Sequence, residues 1–176
     1  MYKTAKTTIP EAAYFNQLAA SWDEIRELNE TKLKMLVEML GIGQEEAVLD
    51  LGSGTGVLLP YLSPLAKTVT AVDFASEMLA QAQKKFVALS NVSYVVADIL
   101  VYAPEMQFDK IVCLNFYPHI KDKGLFVKRV QSWLKQGGEI IIVHDISRQK
   151  VNAIHRTSKQ VENDKLKPAE IEAVPF

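Results

Sequence analysis

The residues best suited to chemistry sit at the ends of apolar runs. The first group is Asp50-Leu51-Gly52-Ser53-Gly54-Thr55-Gly56, which follows Ala47-Val48-Leu49 and precedes a helix-prone stretch. Glycine lets a backbone turn tightly and approach a ligand with no Cβ in the way. A helix starting behind such a loop presents free N–H groups and the positive end of its dipole. The spacing here is G-x-G-x-G. The dinucleotide fingerprint is G-x-G-x-x-G/A, whose third small residue falls on Val57, and this disfavours a nicotinamide or flavin cofactor. No G-K-[ST] follows, which excludes a P-loop.

A second acid, Asp73, follows the next apolar run. A carboxylate at that strand end accepts hydrogen bonds from both ribose hydroxyls in nucleotide-binding folds. Its other use is to cap the next helix, a task Ser76 also suits. The pairing of acid and glycine loop favours the ribose. A third acid, Asp98, follows the third run, with Ile99 and Leu100 behind it. It either accepts from an adenine amino group, with Phe74 and the apolar side chains over the ring faces, or forms a loop turn.

The elements that must position these acids follow from hydrophobic periodicity. Residues 24–40 read as one helix with Ile25, Leu28, Met35, Leu36, Met39 and Leu40 on its apolar face, ended by Gly41 and Gly43. Strands are predicted over 47–51, 68–72, 92–97, 108–114 and 139–143, the last after a Gly137-Gly138 turn. Helices are predicted over 55–65 (with Pro60 inside), 75–89 and 123–134. Met78, Leu79, Ala82, Phe86 and Leu89 line one side of the second of these. The strands' apolar runs are continuous and alternate with helices. That is the pattern of a parallel sheet covered on both faces, a doubly wound α/β fold with ligands at the strands' carboxyl ends.

Composition narrows the classes further. The chain has 176 residues, a formal net charge of −1, 48% hydrophobic and 23% charged residues, and one cysteine. This suits one domain with a full core. One cysteine forms no internal disulfide and is too few for a cysteine-based zinc site; Cys113, in an apolar run, reads as inert core. No run reaches the length of a membrane span, and the first ten residues hold no signal core, so a cytoplasmic protein is expected. The charge balance argues against nucleic acid as the main partner. The charge is uneven, however. Acids dominate the first 50 residues, and Lys and Arg dominate 121–167, where they either form solvated helix faces or attract an anionic ligand.

Taken together, these stretches resemble a known family. Val48 to Gly56 looks like motif I of class I S-adenosylmethionine-dependent methyltransferases. Ala71-Val72-Asp73-Phe74-Ala75-Ser76-Glu77-Met78-Leu79 is similar to the motif that follows, and Ala97-Asp98-Ile99 to the adenine-contact motif. Phe108-Asp109-Lys110-Ile111-Val112 resembles the fourth-strand motif, and Leu134-Lys135-Gln136-Gly137-Gly138-Glu139 the turn before strand five. The likeness runs over about residues 14–146. The tail from Ser147 to Arg156, with Asn163-Asp164 and Leu166-Lys167-Pro168, is similar to a bacterial small-molecule branch near the quinone-biosynthesis methyltransferases.

The resemblance implies a Rossmann-like fold that binds S-adenosylmethionine and methylates a small molecule. Gly52, Ser53, Gly54 and Gly56 would approach the methionine part, and Asp50 its amino group. Asp73 would take the ribose, Asp98 with Ile99 the adenine, and Phe74, Met78 and Asn115 would also face the cofactor. Asn115-Phe116-Tyr117-Pro118-His119 follows strand four, where the acceptor lies in this family. The [DN]-P-P-[FYW] prolines of enzymes that methylate nucleobase amines are missing there. Asn115, His119 and Asp145 are the catalytic candidates. His119 is either a base near neutral pH or a loop histidine. His144 and Asp145 either line the acceptor pocket or stabilise the strand end. No metal site is expected. Tyr14, Phe15 and Trp22 belong either to a lid, within a helical N-terminal region 1–43, or to aromatic packing on the sheet rim.

The family's sheet has seven strands, the last two a hairpin. Residues 147–176 are polar and helix-prone and hold no pair of β-rich runs. The expectation is a core over 44–146 with five strands in the order 3-2-1-4-5, no C-terminal hairpin, and a helical tail. Strand five, Ile140-Ile141-Ile142-Val143, then forms an apolar edge covered by the tail, paired in a homodimer, or left by truncation. The same shortfall gives the functional alternative: a module that binds the cofactor with little or no turnover.

Overall fold

The computed structural model describes residues 10–26 and 29–156. Leu28 and the tail residues Asn163, Asp164, Leu166, Lys167 and Pro168 lie outside that range. Five strands form one parallel sheet: β1 (Ala47–Leu51), β2 (Thr68–Asp73), β3 (Val92–Val96), β4 (Phe108–Leu114) and β5 (Leu134–Val143), in the order β3-β2-β1-β4-β5. This is the expected order. β1 is central, with Asp50 opposite Ala71 on β2 and Val112 on β4.

The sheet buries both faces, and its alternate residues divide between two cores. Val48, Val69 and Val112 pack with Leu33, Val37, Leu59, Leu62, Leu79 and Ala82 on one side. Leu49, Leu51, Ile111 and Cys113 pack with Phe108, Phe126, Val130 and Trp133 on the other. Continuous apolar strands are what two-sided burial requires. The first side is covered by α3 (Glu30–Met39), α4 (Leu59–Leu62) and α5 (Ser76–Lys85), the second by α6 (Lys123–Trp133). Before them lie α1 (Pro10–Leu18) and α2 (Trp22–Ile25), and α7 (Arg148–Arg156) follows β5.

Three expected helices change. The single helix over 24–40 is divided, because the Asn29 side chain accepts from the Lys32 N–H at 2.9 Å and starts α3 afresh. The break resets the phase: Leu33, Val37 and Leu40 are buried at helical spacing, whereas Ile25, Met35 and Met39 are 59%, 58% and 82% exposed. The helix over 55–65 contracts to α4. Pro60 sits in its first turn, where a missing N–H is tolerated, and Gly56, at φ +81°, belongs to the turns before it. The helix over 75–89 ends at Lys85, with Phe86 as its cap residue.

β5 starts earlier than expected. Leu134 pairs with Phe108 and Glu139 with Lys110, so residues 135–138 bulge outward. A Cβ on Gly138 would come within 3.0 Å of two carbonyl oxygens of β4, which explains the glycine. No sixth strand occurs among the described residues, and β5 is an edge of the sheet with Ile142 40% exposed. No described helix is long and apolar enough to cross a membrane.

Candidate functional site

A cavity of about 530 Å³ lies across the carboxyl ends of β1, β2, β4 and β5. Its floor begins with Asp50, the fourth residue of β1, which is 2% exposed. Asp50 Oδ2 has no hydrogen-bond partner among the described residues. Burial pushes this carboxyl up to about 7, partly offset by the Ser53 hydroxyl and the charge of Arg26 and reinforced by the charge of Asp73.

The loop after β1 is fastened to the end of β2. Gly52 and Ser53 donate their N–H groups to the Val72 carbonyl at 2.9 and 3.1 Å. Gly54 N–H donates to Asp73 Oδ2 at 2.9 Å, and Asp73 Oδ1 accepts from Ala75 N–H at 2.8 Å. Asp73 therefore performs the helix-entry task weighed against the ribose, while still lining the cavity. Burial raises its carboxyl to about 6, against the pull of those N–H groups and of His119. Gly56 N–H bonds to the Ser53 carbonyl. The N–H groups of Gly52, Ser53, Gly54 and Gly56 are thus all used internally, α4 starts beyond the loop, and two carboxylates stand beside it. This end of the cavity suits a cation and hydroxyl donors, not a phosphate.

The three glycines serve different ends. A Cβ on Gly52 (φ +71°) would meet the Phe116 ring at 2.3 Å. A Cβ on Gly54 (φ +55°) would meet nothing within 4 Å. Gly56 does not line the cavity; its Cβ would meet Leu59 at 2.8 Å and Ala82 at 2.9 Å, so this glycine lets α4 and α5 pack. Ser53, Phe74, Met78, Asn115 and His119 all line the cavity. Asp98 and Ile99 do not: Asp98 Oδ1 accepts from Leu100 N–H at 2.9 Å in a loop turn, and Ile99 is buried in the core.

α1 and α2 cover the cavity. Phe15 sets ring edges against Phe74 (5.7 Å), Trp22 (5.6 Å) and His119 (5.4 Å), and Ala19 is buried against Ala75 and Met78. Asp23 accepts from Thr55 Oγ1 and from Lys85 Nζ, both at 2.6 Å, joining α2 to the glycine loop and to α5. Burial opposes ionisation of Asp23, but these two donors outweigh it and hold the carboxyl below its ordinary value.

At the other end Asn115 leaves β4 with φ +55°. Its Nδ2 donates to Asp145 Oδ1 at 2.7 Å, its Oδ1 accepts from Asp145 N–H at 3.2 Å, and His144 Nδ1 lies 3.4 Å from that oxygen. Arg26 reaches Asp145 Oδ2 at 3.4 Å, and Lys32 Nζ donates to the Asp145 carbonyl. Arg26, Ile146, Lys150 and Val151 also line this end. Sequence reasoning missed these, together with Asp23 on α2, because single residues at the ends of α2 and around the start of α7 carry no local motif; Thr55 sat in the glycine loop, but its tie to Asp23 was not legible there. Cys113 is fully buried, which pushes its thiol well above its ordinary value.

A sheet of this order, with an unpartnered buried acid near the end of its central strand and a loop-fastened acid at the end of the neighbouring one, is a doubly wound α/β domain with its cavity at the strands' carboxyl ends. A family model described as "Methyltransferase domain" matches residues 48–138, and the chain belongs to that family. The chain is 28% identical over 140 residues to the ubiquinone biosynthesis O-methyltransferase of Pseudomonas fluorescens, covering 74% of this chain and 60% of that protein. It is 28% identical over 137 residues to a probable (S)-tetrahydroprotoberberine N-methyltransferase 2 of Papaver bracteatum, covering 74% of this chain and 37% of that one. It thus spans about a third to three-fifths of these relatives' lengths. Among solved structures it resembles a DhpI-SAM-HEP complex, with a TM-score of 0.67, 26% identity, and 89% of this chain and 75% of that one covered.

Two expectations follow from this geometry. Asp50 and Asp73 hold protons more tightly folded than unfolded, so the ligand-free protein loses stability as pH rises from about 4 to about 7. Asp50→Asn removes the larger part of that slope; thermal unfolding across this range checks it, and an unchanged slope refutes it. Gly54→Ala costs about 1–2 kcal/mol of backbone strain. Gly56→Ala adds the clash with Leu59 and Ala82 and costs more, a ranking that urea unfolding reads directly.

Proposed function

We propose that this chain binds S-adenosylmethionine at the β1–β2 end of the cavity and transfers its methyl group to a small-molecule acceptor at the β4–β5 end. The observation that carries the reading is the buried, unpartnered Asp50 Oδ2, beside a loop whose own N–H groups are already used. It fits the ammonium of an amino acid. On β2 the acceptor is Asp73, whose two oxygens each already take a backbone N–H and would use their second lone pairs on the ribose hydroxyls. Phe74 and Met78 offer apolar cover for the base, and Asp98 is left as a loop-turn residue. Membership of the methyltransferase domain family supports the same ligand, as do the SAM complex among structural neighbours and the N- and O-methyltransferases among relatives.

S-adenosylmethionine supplies an electrophilic methyl group on a positively charged sulfur. The protein's part is to align the acceptor and to exclude water. Phe15 and Trp22, on α1 and α2, close the cavity as a lid. Asn115, held by Asp145 and close to His144, presents its side chain between the two ends. His119 takes the proton from an acceptor that must lose one. Asp145 acts as a positioning residue, since its carboxylate already receives Asn115 and Arg26. The acceptor is a small molecule, for which a cavity of about 530 Å³ partly covered by α1 and α2 has room beside the cofactor. The lone buried thiol agrees with a cytoplasmic setting.

Calorimetric titration with S-adenosylmethionine tests the cofactor reading. Wild type binds, and Asp73→Asn weakens binding about tenfold to a hundredfold, the loss of hydrogen bonds to a charged group. No binding by wild type, or equal affinity in the variant, overturns it, and binding without transfer to any acceptor would leave a binding module. The exposed apolar edge of β5 also fits a homodimer. Light scattering then gives twice the chain mass, and Ile142→Lys gives a monomer.

A further inference from the structure

We infer that the β5 end of the cavity anchors an anionic oxyacid group of the methyl acceptor, a carboxylate or a phosphoryl, on Arg26 and Lys150. The inference rests on assigning the β1–β2 end to the cofactor and names the substrate class that the remaining end would take. Asp50 and Asp73 stand at the β1–β2 end of the cavity; Arg26, ion-paired to Asp145 at 3.4 Å, lies between them and Lys150, and its charge is also felt at Asp50 and Asp23. Asp145 brings one negative charge there against three cations: Arg26 on its Oδ2, Lys32 on its backbone carbonyl, and Lys150 on the cavity wall. Arg26 gives Asp145 one nitrogen across 3.4 Å and makes no other side-chain hydrogen bond among the described residues, with its side chain 20% exposed. Its planar fork matches the two oxygens of a carboxylate or phosphoryl group.

Lys150 lines the same end from the first turn of α7 and has no carboxylate partner among the described residues. The dipole of α7 adds positive potential there. Trp22, Ile25, Ile146 and Val151 line the same cavity with apolar surface. An anion is repelled from the carboxylate end and attracted to this one.

The test uses the full chain, first titrated with S-adenosylhomocysteine, which reports on the cofactor reading by itself. Benzoate, phenylphosphonate and neutral benzamide are then titrated into the protein with and without that ligand. One or both anions bind about tenfold more tightly than benzamide, and the better anion tells carboxylate from phosphoryl. The preference shrinks as salt is raised. Lys150→Gln weakens the anions severalfold, Lys150→Glu abolishes the preference, and neither alters S-adenosylhomocysteine binding. Lys150 is exposed, so these variants fold, and equal melting temperatures verify it. Equal binding of all three probes, or an anion affinity that Lys150→Glu leaves unchanged, overturns the inference even where S-adenosylhomocysteine binds normally.

Discussion

Gly52, Ser53 and Gly54 donate three successive backbone N–H groups to the end of β2, two to the Val72 carbonyl and one to the buried Asp73 carboxylate. The site depends on this fastening. It carries the chain sideways off β1 and leaves Asp50 beneath it without a partner on Oδ2. It also commits the loop's donors, which in a phosphate-binding loop would face the ligand. What remains for a ligand is acceptor chemistry, two carboxylates in an apolar surround. Both keep raised proton affinities until something cationic or hydroxylic meets them.

The fastened loop also decides what covers it. Thr55 offers its hydroxyl to Asp23 of α2, and Lys85 of α5 completes the bridge. Phe15 and Trp22 are thereby laid over Phe74 and His119. On the far side Arg26 and Lys32 meet Asp145, which Asn115 holds in turn. The N-terminal helices touch both ends of the cavity through polar pairs that are partly exposed. Partly exposed pairs of this kind contribute little each to stability.

Much of this was legible before any coordinates. The five strands were visible because two-sided burial demands continuous apolar runs, as in Ala47-Val48-Leu49 and Ile140-Ile141-Ile142. Asp50 and Asp73 were visible because strand ends next to glycine turns are where parallel sheets place ligands. The phase of α3 was not legible. Ile25 and Met39 fit an apolar stripe drawn through residues 24–40, and only the Asn29 cap shows that the stripe is broken. Nor could the glycines be told apart by type: Gly54 opens on the cavity, while Gly56 serves the contact between α4 and α5.

The sequence by itself determined the strands and the acids at their carboxyl ends, because each depends on residues close together in the chain; the strand order followed from the family resemblance, since it pairs Val48 on β1 with Lys110 on β4, far along the chain. Tertiary structure alone decided which acids share a cavity. It placed Asp73 beside the loop, turned Asp98 into a local turn, and brought Arg26, Asn115, Asp145 and Lys150 to one end. The physical reason is distance along the chain. A hydrogen bond between Arg26 and Asp145 links residues that no periodicity connects, and it exists only once the sheet has set β4 beside β5 and α2 across their ends.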